Sequence, residues 1–197
     1  MEENIEAIEF TVFDTETTGL NPITGDRVVE IAGLRVKGGQ RLAQFEALIN
    51  PGREISPEAF AVNKITSEML KNSPSMEIVM PKFLEFIQDS CLCCYNAEFD
   101  LSFLNNELKL IGRPAITNIT VFDVLAMAKI LLPGLSRYAL WFVANKLEVK
   151  LTQNHRAFAD VEMTWEVFNK LKIIGQQKGI VNFIDFSNRF TFKPKII

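Results

Sequence analysis

Apolar and polar positions alternate from Ile8 to Phe13, the period of a half-buried strand, and this run leads into Asp14-Thr-Glu-Thr-Thr-Gly19. A second apolar run at 28–36 predicts another strand. Lys37-Gly-Gly-Gln40 turns it back into a third at 42–49, so the chain opens with an antiparallel meander. The period then changes. Ser56-Pro57-Glu58 sets a cap residue before a proline at the first helical position. Over 75–89, Met76, Val79, Met80, Phe83, Phe86 and Ile87 recur at helical spacing, with Pro81 near the first turns. Residues 91–95 form a short apolar strand, followed by a helix from Ala97 to Leu110 with Phe99, Phe103, Leu104 and Leu108 along it. A strand at 119–122 and helices near 123–132 and 136–147 come next, then a long helix at 157–177 striped by Val161, Trp165, Phe168 and Leu171.

Two β–α units after a meander predict an α/β domain with a mixed five-stranded sheet flanked by helices. The aromatic segment 179–197, basic at its end, is expected as a strand or arm packed on the domain of residues 1–178, the alternative being a partner-binding tail.

Composition narrows the class without naming a chemistry. At 197 residues the chain suits one domain with a full core. No apolar run approaches the ~20 residues that span a bilayer. The acidic start Met1-Glu-Glu-Asn-Ile-Glu6 lacks the features of a signal peptide, and the chain reads as cytoplasmic. Cys91, Cys93 and Cys94 crowd into one predicted strand and read as buried reduced thiols rather than a disulfide framework or a zinc site. The net charge is −3, yet it is unevenly spread: residues 1–140 hold 12 Lys/Arg and 19 Asp/Glu, whereas 141–197 hold 9 and 5. That distribution excludes the broad basic face of a protein gripping long duplex by charge alone. It permits an enzyme that holds cations on carboxylates.

The chemistry-bearing residues are acids at element ends. Asp14 and Glu16, two apart at the end of the first strand, share one side and are expected to point past the strand end. Burying two adjacent carboxylates without a cation is costly, and hard oxygen ligands favour Mg²⁺ or Mn²⁺ over zinc. A solvated acidic turn would look the same locally. Asp100 in Asn96-Ala-Glu-Phe-Asp100 and Asp160 in the last long helix lie in first turns, where the helix dipole favours an acid with or without catalysis. His155 is the sole histidine. A spacing of five puts it about 140° from Asp160 on a helix, so the two share a site only if His155 lies in the preceding loop.

Together, Phe13-Asp-Thr-Glu-Thr-Thr-Gly-Leu20, Tyr95-Asn-Ala-Glu-Phe-Asp-Leu-Ser-Phe-Leu104 and His155-Arg-Ala-Phe-Ala-Asp160 resemble the three motifs of the DEDDh exonucleases. This is the DnaQ-like superfamily, which includes the proofreading subunit of bacterial DNA polymerase III. The resemblance runs over residues 10–175, and Asp26-Arg-Val-Val-Glu-Ile31 also fits. It implies a ribonuclease H-like fold and a 3′–5′ exonuclease acting on single-stranded DNA ends. Asp14, Glu16, Asp100 and Asp160 would hold two divalent ions, Mg²⁺ or Mn²⁺, and His155 would be the general base. Thr17, Thr18 and Gly19 would meet the terminal nucleotide through amides and hydroxyls, Leu20 would wedge against its base, Asn96 would lie near the substrate, and Phe99 would support the site by packing. A DNA polymerase subunit is the implied partner, although 179–197 contains no recognisable clamp-binding motif. An RNA-trimming exonuclease would carry the same motifs, since that choice rests on the 2′-hydroxyl. A non-catalytic polymerase-binding scaffold would usually have lost one of these five residues. A nucleotidyl transferase would need a nucleotide-binding apparatus that the sequence does not show.

Overall fold

The structure, a computed structural model, describes residues 4–150 and 156–192. Its centre is a mixed sheet of β1 (Glu9–Thr17), β2 (Val28–Lys37), β3 (Gln40–Leu48), β4 (Cys91–Cys94), β5 (Val121–Asp123) and β6 (Thr191–Phe192). The strand order is β3-β2-β1-β4-β5-β6. β1 to β3 form the meander, β4 and β5 add in parallel, and β6 closes the sheet antiparallel to β5. The sheet therefore has a sixth strand where the pattern predicts five.

Helices cover both faces. α1 (Pro57–Asn63), α2 (Ser67–Leu70), α3 (Met76–Phe86), α4 (Ala97–Leu110), α5 (Val124–Leu131), α6 (Leu140–Lys146), α7 (Ala157–Gln177) and α8 (Phe183–Phe190) follow in chain order. Ser56 caps α1 through Ala59 N, with Pro57 at the first position, and Pro81 stays inside α3. α2, a single turn capped by Thr66, was too short to leave a period in the sequence. Among the described residues no helix is long and apolar enough to cross a membrane.

One face of the sheet packs on α3 and α4 through Phe13, Ile31, Phe83, Leu92, Phe103 and Leu104. The other packs on α5 to α8. There the α7 stripe meets β1 and β5: the Phe168 ring lies 5.2 Å from Phe10, 6.0 Å from Phe122 and stacked at 5.5 Å on Trp165. Removing a buried phenylalanine of this kind costs about 3–5 kcal/mol, so docking of α7 is strongly fixed along its length. The segment after 178 folds mainly as a helix, not an arm. Phe186 and Phe190 of α8 are buried on the α7 side of the sheet. Cys93 and Cys94 are buried in β4, with no disulfide, and burial raises both thiols.

Candidate active site

The first strand is longer than alternation predicts. β1 runs on through Asp14, Thr15, Glu16 and Thr17, paired with β2 throughout (Asp14 with Ala32, Thr15 with Ile31, Glu16 with Glu30). Asp14 and Glu16 therefore do not point past a strand end. They stand on the sheet, on the face that α7 covers, because they alternate in phase with Phe10 and Val12. Polar side chains on both faces of this stretch had hidden the strand.

On its other edge β1 is paired with β4 only at Phe10, Thr11 and Val12. Beyond that point α4 takes over the open edge. Asp100, in the first turn of α4 and 2% exposed, accepts through Oδ1 from Thr15 N at 3.0 Å and Thr15 Oγ1 at 2.7 Å. An amide that a sheet neighbour would otherwise bind is thus used to hold an acid at Thr15. Asp160 arrives from the opposite face, in the first turn of α7.

Asp14, Glu16 and Asp160 each bring a carboxylate oxygen to within 4.8 Å of the others. Their electrostatics show what such crowding costs. Burial, then the charges of Asp100, Glu16, Asp160 and Glu30, hold Asp14 well above its usual value. Burial, with Asp160, Glu30 and Asp100, pushes Glu16 up to about 8, against a hydrogen bond from Asn63. Asp100 rises to about 7 through burial, offset in part by its bonds from Thr15. A set of carboxylates alone, half-buried and mutually repelling, is the donor chemistry of a hard divalent cation. The cluster fits such an ion.

Beside the acids lies a cleft of about 530 Å³ lined by Thr15, Glu16, Thr17, Gly19, Leu20, Asp26, Ser56, Glu58, Ala59, Val62, Asn63 and Phe99. Leu20, 82% exposed, stands at its rim, and Phe99 packs on Phe103 at 4.9 Å. Thr18 is absent from this lining. It is fully buried, its amide donating to Arg27 O and its hydroxyl to Asp26 Oδ1, so it shapes the loop from behind. The Thr17 hydroxyl donates to Gly19 O. At Gly19 a Cβ would meet the Asp26 carboxylate at 2.3 Å, so a larger residue there would displace Asp26 from its bonds to Thr18 and Asn21. Asn96, exposed and left-handed at φ 71°, starts α4 and also lies outside the lining. His155 falls outside the described residues; α7 begins two residues after it, at Ala157.

Asn63 and Glu30 were not singled out in the sequence. Asn63 is buried in the cleft wall, donating to Thr17 O at 3.2 Å and accepting from Ile65 N. Glu30 gave one signal, a lone charge inside the apolar run Val28-Val-Glu-Ile-Ala32. A larger groove, about 920 Å³, opens at the starts of β1 and β4. It holds none of Asp14, Glu16, Asp100 and Asp160, whereas Glu16 lines the smaller cleft.

The RNase T family of exonucleases matches residues 11–168, a stretch that includes Asp14, Glu16, Asp100, His155 and Asp160. The chain belongs to this exonuclease family. It is 38% identical over 162 residues to DNA polymerase III PolC-type of Bacillus cereus, covering 82% of this chain and 11% of the polymerase. To the same enzyme of Bacillus subtilis it is 35% identical over 176 residues, covering 89% of this chain and 12% of that one. The chain thus spans only about a tenth of the length of these relatives. Among solved structures, Escherichia coli Exonuclease I in complex with a dT13 oligonucleotide superposes with a TM-score of 0.78 at 18% identity, over 87% of this chain and 42% of that one. Exonuclease X in complex with 5′ overhanging duplex DNA gives 0.69 at 24% identity, over 91% and 98%. Both share the ribonuclease H-like exonuclease fold seen here. As a member of this family, the chain is a phosphodiester hydrolase with an acidic cluster suited to a divalent ion.

Proposed function

We propose that this exonuclease domain removes nucleotides from the 3′ ends of single-stranded DNA, releasing nucleoside 5′-monophosphates, in proofreading or repair. The carrying observation is the convergence of Asp14, Glu16 and Asp160 within 4.8 Å beside an apolar-walled cleft. Asp14, Glu16, Asp100 and Asp160 are the residues that would hold two divalent ions, Mg²⁺ or Mn²⁺. When bound, such ions polarise the scissile phosphate and make a neutral-pH nucleophile of water. The protein's own part is to fix the carboxylates, seat the terminal nucleotide between Leu20 and Phe99, and accept the water's proton on His155, whose ordinary pKa suits the task. An apolar wall contributes about 1–3 kcal/mol per stacked base without selecting sequence.

DNA is favoured over RNA by the relatives: the matched curated proteins are DNA polymerases, and the superposed Exonuclease I and Exonuclease X are named in complex with DNA. The test is digestion of a 5′-labelled single-stranded DNA oligonucleotide and its RNA twin with Mg²⁺, with Mn²⁺ and with EDTA. A metal-dependent ladder receding from the 3′ end, faster on DNA, is the expected result. A faster RNA ladder would make the protein an exoribonuclease, and no ladder from folded protein would leave a scaffold role.

A further inference from the structure

The start of α7 has a weakness that the sheet repairs. The first amides of any helix have no partner within it, and Arg156, at the N-cap position, supplies no side-chain capping bond. The apolar stripe of Val161, Trp165, Phe168 and Leu171 holds the helix along its length, but Asp160 sits in the first turn, where helices fray. Glu30, on β2 and 1% exposed, reaches across to that turn. Its Oε2 accepts from Ala157 N at 3.2 Å, and Arg156 donates from Nε to both carboxylate oxygens at 2.9 and 3.1 Å and from Nη2 to Oε1 at 2.5 Å. Glu30 is also the cross-strand partner of Glu16, yet it does not join the cluster of Asp14, Glu16 and Asp160. Both of its oxygens are committed to α7.

We propose that Glu30 is a positioning residue for the hydrolytic site: it caps α7 from the neighbouring strand and, together with Arg156, sets Asp160 against Asp14 and Glu16. This rests on the reading of Asp14, Glu16 and Asp160 as metal-holding residues. Arg156 also offsets a carboxylate whose charge is felt at Asp14 and Glu16, so the pair spares the site an additional uncompensated negative charge. Partners of this kind, one step removed from a metal, typically change metal affinity or activity by 10–100-fold when lost.

The test compares wild type with Glu30→Gln, Arg156→Lys and Arg41→Ala. Arg41 makes another tie between the sheet and α7, donating to Glu162 at 2.6 Å on the surface, and reports what loosening the helix does by itself. Mn²⁺ affinity is read by calorimetry on the protein alone, and kcat and KM on a single-stranded oligonucleotide, at a temperature where each variant is folded. Glu30→Gln should weaken Mn²⁺ binding and lower kcat by about 10–100-fold each, with KM within about twofold. Arg156→Lys, which keeps the charge and loses the fork, should fall in between, and Arg41→Ala should match wild type. If Glu30→Gln does not fold, Arg156→Lys decides by the same measurements. Wild-type Mn²⁺ affinity and kcat in the deciding variant would overturn the proposal, as would an equal loss in Arg41→Ala. Absence of Mn²⁺ binding in wild type would instead bring down the metal reading on which the proposal stands.

Discussion

Two buried glutamates tether helices to β2, and they do so in the same way at opposite faces of the sheet. Glu107 of α4, 1% exposed, accepts from Arg27 Nε at 2.8 Å, Arg27 Nη2 at 2.7 Å and Val28 N at 3.0 Å. Glu30 accepts from Arg156 and Ala157 N. Each is a carboxylate gripped by an arginine fork and one backbone amide. They differ in where the charge falls. Glu30 contributes to raising Asp14 and Glu16, whereas Glu107 is not among the charges that shift either acid. Glu107 is anchored two turns along the helix from Asp100, while Glu30 is anchored three residues before Asp160. The same device thus holds one helix away from the acids and another at the turn that carries Asp160.

Loss of the site itself sets the largest effect. Asp14→Ala should abolish metal-supported cleavage while leaving the circular dichroism spectrum unchanged; surviving activity would remove Asp14 from the metal site. His155→Ala should slow cleavage by about 10²–10⁴-fold, and an unchanged rate would leave the proton without its acceptor. Glu107→Ala then separates the two tethers: unfolding in urea should show a loss of about 2–3 kcal/mol, with kcat per folded molecule near wild type. A large fall in kcat there would erase the distinction drawn above.

Stability against pH probes the same asymmetry. Glu16 at about 8 and Asp100 at about 7 lie well above the ordinary carboxylate range of about 4, so the folded state binds protons that the unfolded state releases. Their contribution to stability is full below about pH 4 and is lost as pH rises through 7 to 8. In EDTA, Tm should fall over that window, and Mg²⁺ or Mn²⁺ should restore it at pH 8 far more than at pH 5, because protons compete with the ion at the lower pH. A Tm indifferent to metal at pH 8 would contradict the cluster's chemistry. The smallest effect belongs to the surface tie: Arg41→Ala should cost less than about 1 kcal/mol, since exposed pairs seldom contribute more.

What the sequence disclosed follows from how local each signal is. α4 and α7 are legible to the residue because a 3.6-residue stripe and their starts lie within one stretch of chain. The acids could be named from three motifs. The outer half of β1 could not be read, since Asp14-Thr-Glu-Thr17 is polar on both faces and its pairing is dictated by β2. α8 was missed although Phe183, Phe186 and Phe190 recur at helical spacing; the neighbouring aromatics blurred the period. Glu30 showed only as a lone charge in an apolar run, and its tie to α7 was beyond local reasoning because its partner lies 126 residues further on. Thr18 illustrates the converse, a residue expected to meet the terminal nucleotide whose donors are spent inside its own loop.

The wide separation of the cluster's parts has a consequence for the chain as it is made. β1 emerges from a ribosome before its partners: Thr15 meets Asp100 only 85 residues later, and Glu30 waits 126 residues for Arg156. Such long-range closures come late in folding, after their loop entropy has been met. A product that stops before α7 carries Asp14 and Glu16 without Asp160, and so lacks one of the three acids of the cluster. Assembly of the carboxylate cluster therefore reports on completion of the fold through α7.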